Sequence, residues 1–198
     1  MTINTKTLAA IDIGTNAIRL FISNVEEYPT ETLFKKIAFL RVPIRLGEDV
    51  FTTGEIGQQK RKRLCETMQG FSYIMSAFNV ESYKAYATCA MREARNGKSV
   101  AEQIQKECDL NIEIISGTKE AETIFAGGMN EVVDDDKTYL YVDVGGGSTE
   151  VIVYSKSVKV EACSFPLGTV RMLNDAVDKE EMKHFKKWLK NITERFKY

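Results

Sequence analysis

Two stretches of this chain share one plan, and a long-period internal repeat constrains a fold more than any local pattern does. Residues 139–154 read YLYVDVGGGSTEVIVY: a β-prone run ends in Asp143, Gly145, Gly146 and Gly147 follow, then Ser148 and Thr149, then a second β-prone run. Residues 8–24 read LAAIDIGTNAIRLFISN, with Asp12, Gly14, Thr15 and Asn16 in the matching places. Asp12 and Asp143 are offset by 143 − 12 = 131 positions, as are Gly14 and Gly145. Each stretch reads as strand, glycine turn, strand. The repeat predicts an α/β protein of two similar lobes, each offering one Asp-x-Gly hairpin to a shared cleft.

Residue types in the longer loop suit an anion. A glycine backbone lets a phosphate approach its N–H groups closely, and Ser148 and Thr149 add hydroxyls. Asp143, at the end of its strand, is placed to hold a cation or a water beside that anion. A glycine-rich hairpin with no ligand has the same local signature, so the second copy of the motif is what favours a phosphate cradle.

Bulk properties narrow the chemistry. With 27 basic and 28 acidic residues the net charge is −1, so charge alone suggests neither nucleic acid nor membrane as a partner. No apolar run approaches membrane-spanning length, and residues 1–7 lack the apolar core of a signal peptide. Cys65, Cys89, Cys108 and Cys163 are scattered without a C-x-x-C pair, which fits a reduced, cytoplasmic chain. The sole histidine, His184, sits in a lysine-rich stretch and reads as a solvated helix residue. A general base must then be a carboxylate or a lysine, and Ser-His or Cys-His hydrolysis loses its histidine.

The pattern along the chain predicts a third strand over 31–46, a charged turn at 45–49 and a long helix over 55–78. The Lys60-Arg61-Lys62-Arg63 run reads as a solvated helix face before an anion patch. A strand over 82–88 leads into a short helix at 90–95, where Arg92 either folds back onto a bound phosphate or pairs on the surface. A helix over 98–108, with Ser99 as a cap, and a strand over 111–115 follow. A helix opens at Ser116 and runs to about 133, with Glu120 in its first turn. There a carboxylate complements the helix dipole or serves as a general base, and the sequence leaves both open. Asp134-Asp135-Asp136 reads as the lobe boundary, dividing the chain into 1–133 and 134–198. Beyond the second hairpin come a turn at 155–157, a strand over 158–165, a helix over 166–176, and a last amphipathic helix over 179–196 capped by Asp178.

Five stretches in this order resemble the exopolyphosphatase / guanosine pentaphosphate phosphohydrolase (Ppx/GppA) family, of the sugar kinase, actin and heat-shock chaperone superfamily. They are AAIDIGTNAIRLFI (9–22), YATCAMREARNG (86–97), IEIISGTKEAETIF (112–125), YVDVGGGSTEVIV (141–153) and FPLGTVRM (165–172). The resemblance implies a ribonuclease H-like, actin-like two-lobed α/β fold with the active site between the lobes. It also implies Mg²⁺-dependent removal of terminal phosphate from inorganic polyphosphate, or of the 5′-γ-phosphate from guanosine pentaphosphate. Asp12, Gly14, Thr15 and Asn16 fall on the family's first phosphate motif, and Gly145, Gly146, Gly147, Ser148 and Thr149 on its second. Glu120 falls on the catalytic glutamate and Arg92 on the family's arginine. Asp143, with Asp12, is the expected holder of Mg²⁺ or another divalent cation. Thr15-Asn16-Ala17 departs from the usual Ser-Asn-Ser by one hydroxyl. Family members generally run longer, so an incomplete second lobe is expected here. Its unfinished sheet edge makes a homodimer one outcome. A phosphotransferase of the same superfamily, or a sensor that binds nucleotide or polyphosphate without turnover, has the same motifs.

Overall fold

The computed structural model describes residues 4–126, 137–156 and 158–196. They form two compact units that part after Ile114. The expected boundary at 133/134, its three aspartates and Ser157 lie outside the described residues.

The first unit is built on a five-stranded sheet of order β3-β2-β1-β4-β5. β1 (Asn4–Ile13), β2 (Ile18–Glu27) and β3 (Thr32–Val42) are antiparallel neighbours. β4 (Ser82–Ala87) and β5 (Glu113–Ile114) add on in parallel. Alternation sends Ile11, Ile13, Leu20 and Ile22 to one face, each at most 2% exposed. They pack in one cluster with Leu64, Met68 and Phe71 of α2 (Gln58–Ala77) and with Val100 and Ile104 of α4 (Gly97–Cys108). Each such side chain contributes about 1.5–3 kcal/mol on burial.

Residues 45–49 are not a turn. β3 ends at Val42, and α1 runs over Leu46–Thr53. Leu46 and Val50, one turn apart and buried, anchor it. Glu48 and Asp49 stand in its first turn, where the dipole favours acids, so charges that suggest a turn in the sequence belong to a helix start. Gly54, at φ 79°, closes α1. The long helix therefore begins at Gln58, not 55. The cap of α4 is Asn96, not Ser99, and Asn96 spends its side-chain amide on both backbone groups of Ile56 (3.0 and 2.9 Å). The basic run of α2 is engaged locally. Lys60 Nζ meets Glu48 at 3.0 Å and Asp49 at 2.8 Å, and Arg63 donates to the Pro43 carbonyl at 3.3 Å.

The second unit has a three-stranded antiparallel sheet of order β6-β7-β8, made of Thr138–Val144, Thr149–Ser155 and Val158–Phe165. α5 (Gly117–Ala126) lies on one face, with Ala121 packed against Ile152 and Tyr154. The expected extension of α5 to 133 lies outside the described residues. α7 (Lys179–Arg195) covers the other face: Phe185 and Trp188 meet Phe165, and Trp188 Nε1 donates to Glu161 at 2.8 Å. Asp178 caps α7 through the amide of Glu180, and His184 is exposed. β7 is covered on both faces, hence its nearly continuous apolar run. α6 is a short helix, Thr169–Leu173, ending earlier than 176.

Candidate functional site

The internal repeat holds at the level of backbone register. Asp12 faces Arg19 across the first hairpin, and Asp143 faces Glu150 across the second, the same pairing 131 positions on. Each loop closes with one hydrogen bond: Gly14 N–H to the Ala17 carbonyl (3.2 Å), and Gly145 N–H to the Ser148 carbonyl (2.9 Å). A Cβ on Gly14 or Gly145 would press on that same carbonyl at 3.1 or 3.2 Å, so both loops favour glycine there.

In the first unit the loop is braced from two sides. The amides of Arg45 and Gly47, at the start of α1, donate to the carbonyls of Asn16 (2.9 Å) and Thr15 (3.0 Å). The amide of Thr88 donates to Ile13 (3.2 Å), extending the parallel β1–β4 pairing to the foot of α3 (Cys89–Glu93). That brings the α3 turn, with Arg92, beside the Asp12–Asn16 loop. Thr15 is buried. Asp12 is engaged by Arg19, whose Nη1 lies 2.5 Å from Oδ2.

In the second unit the matching pair carries the opposite electrostatics. Glu150 is only 2% exposed, and Ser164 Oγ donates to its Oε1 at 2.8 Å. Its cross-strand neighbour is the carboxylate of Asp143 rather than a cation. Directly opposed side chains in antiparallel strands sit about 5 Å apart at Cβ, and like charges there are unfavourable. Burial, with the charges of Asp143 and Glu150 behind it, pushes the neighbouring Tyr141 hydroxyl above its usual range. Asp143, at the end of β6 and beside the glycine loop, offers carboxylate oxygens of the kind a hard divalent cation takes.

The Gly145–Gly147 loop is held by the segment after β8. Thr169 N–H donates to the Gly145 carbonyl (3.0 Å), and Val170 and Arg171 N–H both donate to that of Gly146 (2.8 and 3.1 Å). The Arg171 Nε donates to that of Gly147 (2.9 Å). In a trans peptide the C=O and the following N–H point opposite ways. Holding these three carbonyls on one side therefore aims the amides of Gly146, Gly147 and Ser148 to the other. Gly168 makes the approach possible, since a Cβ there would lie 2.4 Å from Gly146 backbone atoms. Thr149 is placed differently from the expected donor. It is buried, and its Oγ1 donates to the Leu167 carbonyl at 2.5 Å, bracing the same segment.

Glu120 stands in the first turn of α5, where Ser116 Oγ caps the amide of Lys119 at 3.1 Å. One of its carboxylate oxygens is buried. α5 packs on the face of β7 that carries Glu150, Ile152 and Tyr154, which is the face Asp143 shares by register. Glu122 instead reaches Lys159 at 3.2 Å in an exposed pair. The sequence reading missed Glu150, Gly168 and Arg171. Glu150 had a signal, an acid within a β-prone run; Gly168 and Arg171 stand in the FPLGTVRM stretch, but what they hold follows only from the fold.

Comparison with known proteins adds three findings. The profile of the Ppx/GppA phosphatase family matches residues 21–197. The chain is 32% identical over 168 residues to a bifunctional 3-dehydroquinate synthase/phosphatase of Fusobacterium nucleatum, covering 83% of this chain and 25% of that protein. It is 28% identical over 170 residues to exopolyphosphatase 2 of Mycobacterium tuberculosis, covering 83% of this chain and 53% of that one. Among solved structures, an exopolyphosphatase from Cytophaga hutchinsonii superposes with a TM-score of 0.78 at 25% identity, over 95% of this chain and 61% of that chain. The fold is thus the ribonuclease H-like, actin-like α/β architecture. The chain spans about half the length of the curated exopolyphosphatase it matches. Among the described residues no helix is long and apolar enough to cross a membrane.

Proposed function

The chain belongs to the Ppx/GppA phosphatase family, and on that premise we propose that it serves phosphoanhydride hydrolysis, releasing terminal phosphate from inorganic polyphosphate or the 5′-γ-phosphate from guanosine pentaphosphate. The observation that carries this reading is the second glycine loop, whose carbonyls are all engaged by residues 169–171 so that three successive amides are left for an anion. Phosphoryl transfer needs chiefly position and charge neutralisation, and an amide cradle supplies both without reorganising.

Gly146, Gly147 and Ser148 would hold the terminal phosphoryl oxygens; in the first unit, Thr15 and Asn16 of the matching loop, with Arg92, are that unit's own candidates for phosphate. Glu120 would take a proton from water as its oxygen attacks phosphorus in line; the P–O anhydride bond breaks, and the shortened chain leaves as an anion. A carboxylate with a buried oxygen and a capped helix start suits a base held in one orientation. Mg²⁺, or another divalent cation, would be held at Asp143, beside the cradle, by a carboxylate suited to a hard cation. When bound, it would offset charge on the phosphates.

The test is phosphate release from long-chain polyphosphate and from guanosine pentaphosphate, with and without Mg²⁺, for this chain and for a C-terminally extended one. Release without any acceptor supports hydrolysis. Transfer that requires an acceptor would make the protein a phosphotransferase, and binding of either compound without release would make it a sensor.

A further inference from the structure

Resting on the reading of the second glycine loop as a phosphate cradle, we propose that Arg171 is its positioning residue. Its guanidinium fixes the Gly147–Ser148 peptide so that the Ser148 amide faces the bound phosphoryl group.

The first unit supplies the comparison. A proline directly follows the third strand in each unit, Pro43 after β3 and Pro166 after β8, and a helix then opens at Leu46 or Thr169. In the first unit two backbone amides of that turn hold the loop: Gly47 N–H on Thr15 and Arg45 N–H on Asn16. Moved along by the repeat, those carbonyls become Gly146 and Gly147. The Gly146 carbonyl is again taken by a backbone amide, that of Val170, at the place matching Gly47. The Gly147 carbonyl is taken instead by a side chain, the Arg171 Nε, at 2.9 Å. A task done by the main chain in one lobe has passed to a side chain in the other.

Arg171 is suited to this task. Its residue surface is only 8% exposed, and its own amide is bound to Gly146, so the side chain starts from a fixed point. The planar guanidinium donates along a defined direction, which an ammonium on a flexible stem does not. The division of labour is peptide by peptide. Thr169 aims the Gly146 amide, Val170 and Arg171 main chain aim that of Gly147, and among the described residues the Arg171 side chain aims that of Ser148.

The experiment follows the backbone amide resonances of the 198-residue chain during titration with tripolyphosphate, for the wild type, Arg171→Met, Arg171→Lys and Arg171→Ala, with melting curves for each. The wild type is expected to show saturable shifts at Gly146, Gly147 and Ser148. Arg171→Met is expected to lose the Ser148 response, keep the two glycine responses, and raise the tripolyphosphate Kd by about tenfold, the size of one lost hydrogen bond to an anion. Methylguanidinium should restore the Ser148 response in Arg171→Ala. Arg171→Lys keeps the charge, so it serves if Arg171→Met does not fold. Loss of the Ser148 response alone supports positioning by the planar group. A Ser148 response equal to wild type in a folded variant overturns the proposal, as does equal weakening of all three amides, which would mean a mere charge effect. No amide response in the wild type would overturn the cradle and the proposal together. Amide responses without phosphate release would leave the proposal standing and the hydrolase reading refuted.

Discussion

Gly168→Ala should be a severely damaging single-methyl change in the second unit. The added Cβ would lie 2.4 Å from both the carbonyl carbon and oxygen of Gly146, and 2.5 Å from the carbonyl carbon of Gly147. Those are backbone atoms, so no rotamer relieves the clash. Ordinary contact begins near 3.4 Å, so loop and segment must separate by about 1 Å (3.4 − 2.4). The bonds from Thr169 to Gly145 (3.0 Å) and from Val170 to Gly146 (2.8 Å) would then stretch to about 3.8–4.0 Å, beyond hydrogen-bond range. Two lost bonds at about 1 kcal/mol each, with overpacking of about 1–3 kcal/mol, give a destabilisation of about 3–5 kcal/mol. Displacing the cradle by about 1 Å should also cut turnover by about 10²-fold. Urea unfolding followed by the fluorescence of Trp188, which packs on Phe165 in the same unit, reads the stability, and phosphate release reads the turnover. Gly70→Ala is the control. A Cβ at that α2 position meets nothing within 4 Å, so it should stabilise the first unit by about 1 kcal/mol, read by circular dichroism. A Gly168→Ala protein with wild-type unfolding midpoint and turnover would refute the close approach on which the cradle depends.

Glu120→Gln should leave substrate binding near normal and slow the chemical step by about 10²–10⁴-fold. Glu122→Gln, which loses only an exposed pair with Lys159, should cost under about 1 kcal/mol and leave turnover unchanged; similar small effects at both positions in phosphate-release assays would remove Glu120 from the mechanism. Asp143→Asn should lower Mg²⁺-dependent release by about 10²-fold, measured by titrating the metal against activity. Unchanged metal dependence in that variant would remove Asp143 as a cation ligand. Burial raises the Cys65 thiol to about 11 and the Tyr154 hydroxyl to about 12 in the folded protein, from ordinary values of 9.0 and 10.0. Because ionisation is harder in the folded state, their contribution is intact below pH 9 and is lost as the pH rises through about 11–12. Denaturation midpoints measured from pH 7 to 11 should therefore fall above pH 9, less steeply in Cys65→Ala; a flat profile would contradict the burial of both groups.

What the sequence determined by itself was everything carried by short-range pattern. The two Asp-x-Gly hairpins, their offset, the β8 strand, the Asp178 cap and the α5 start at Ser116-Gly117 follow from alternation, glycine runs and capping, which depend on a few neighbouring residues. The order of five motifs identified the family. Even locally, α1 read as a turn, because its acids resemble turn residues until Leu46 and Val50 find a core to anchor them. Tertiary structure alone decided what each motif residue faces. Asp12 and Asp143 are indistinguishable in sequence, yet one is answered by Arg19 and the other opposed by Glu150, because register sets the cross-strand neighbour. Thr149 looked like a phosphate donor, but its single hydroxyl proton goes to Leu167, a residue 18 positions away. Gly168 and Arg171 stood in a family stretch, but their roles were not legible, since they exist only where the chain after β8 returns to the Gly145–Gly147 carbonyls. Such contacts join residues about 20 positions apart in sequence, and no local periodicity records which backbone groups they will meet.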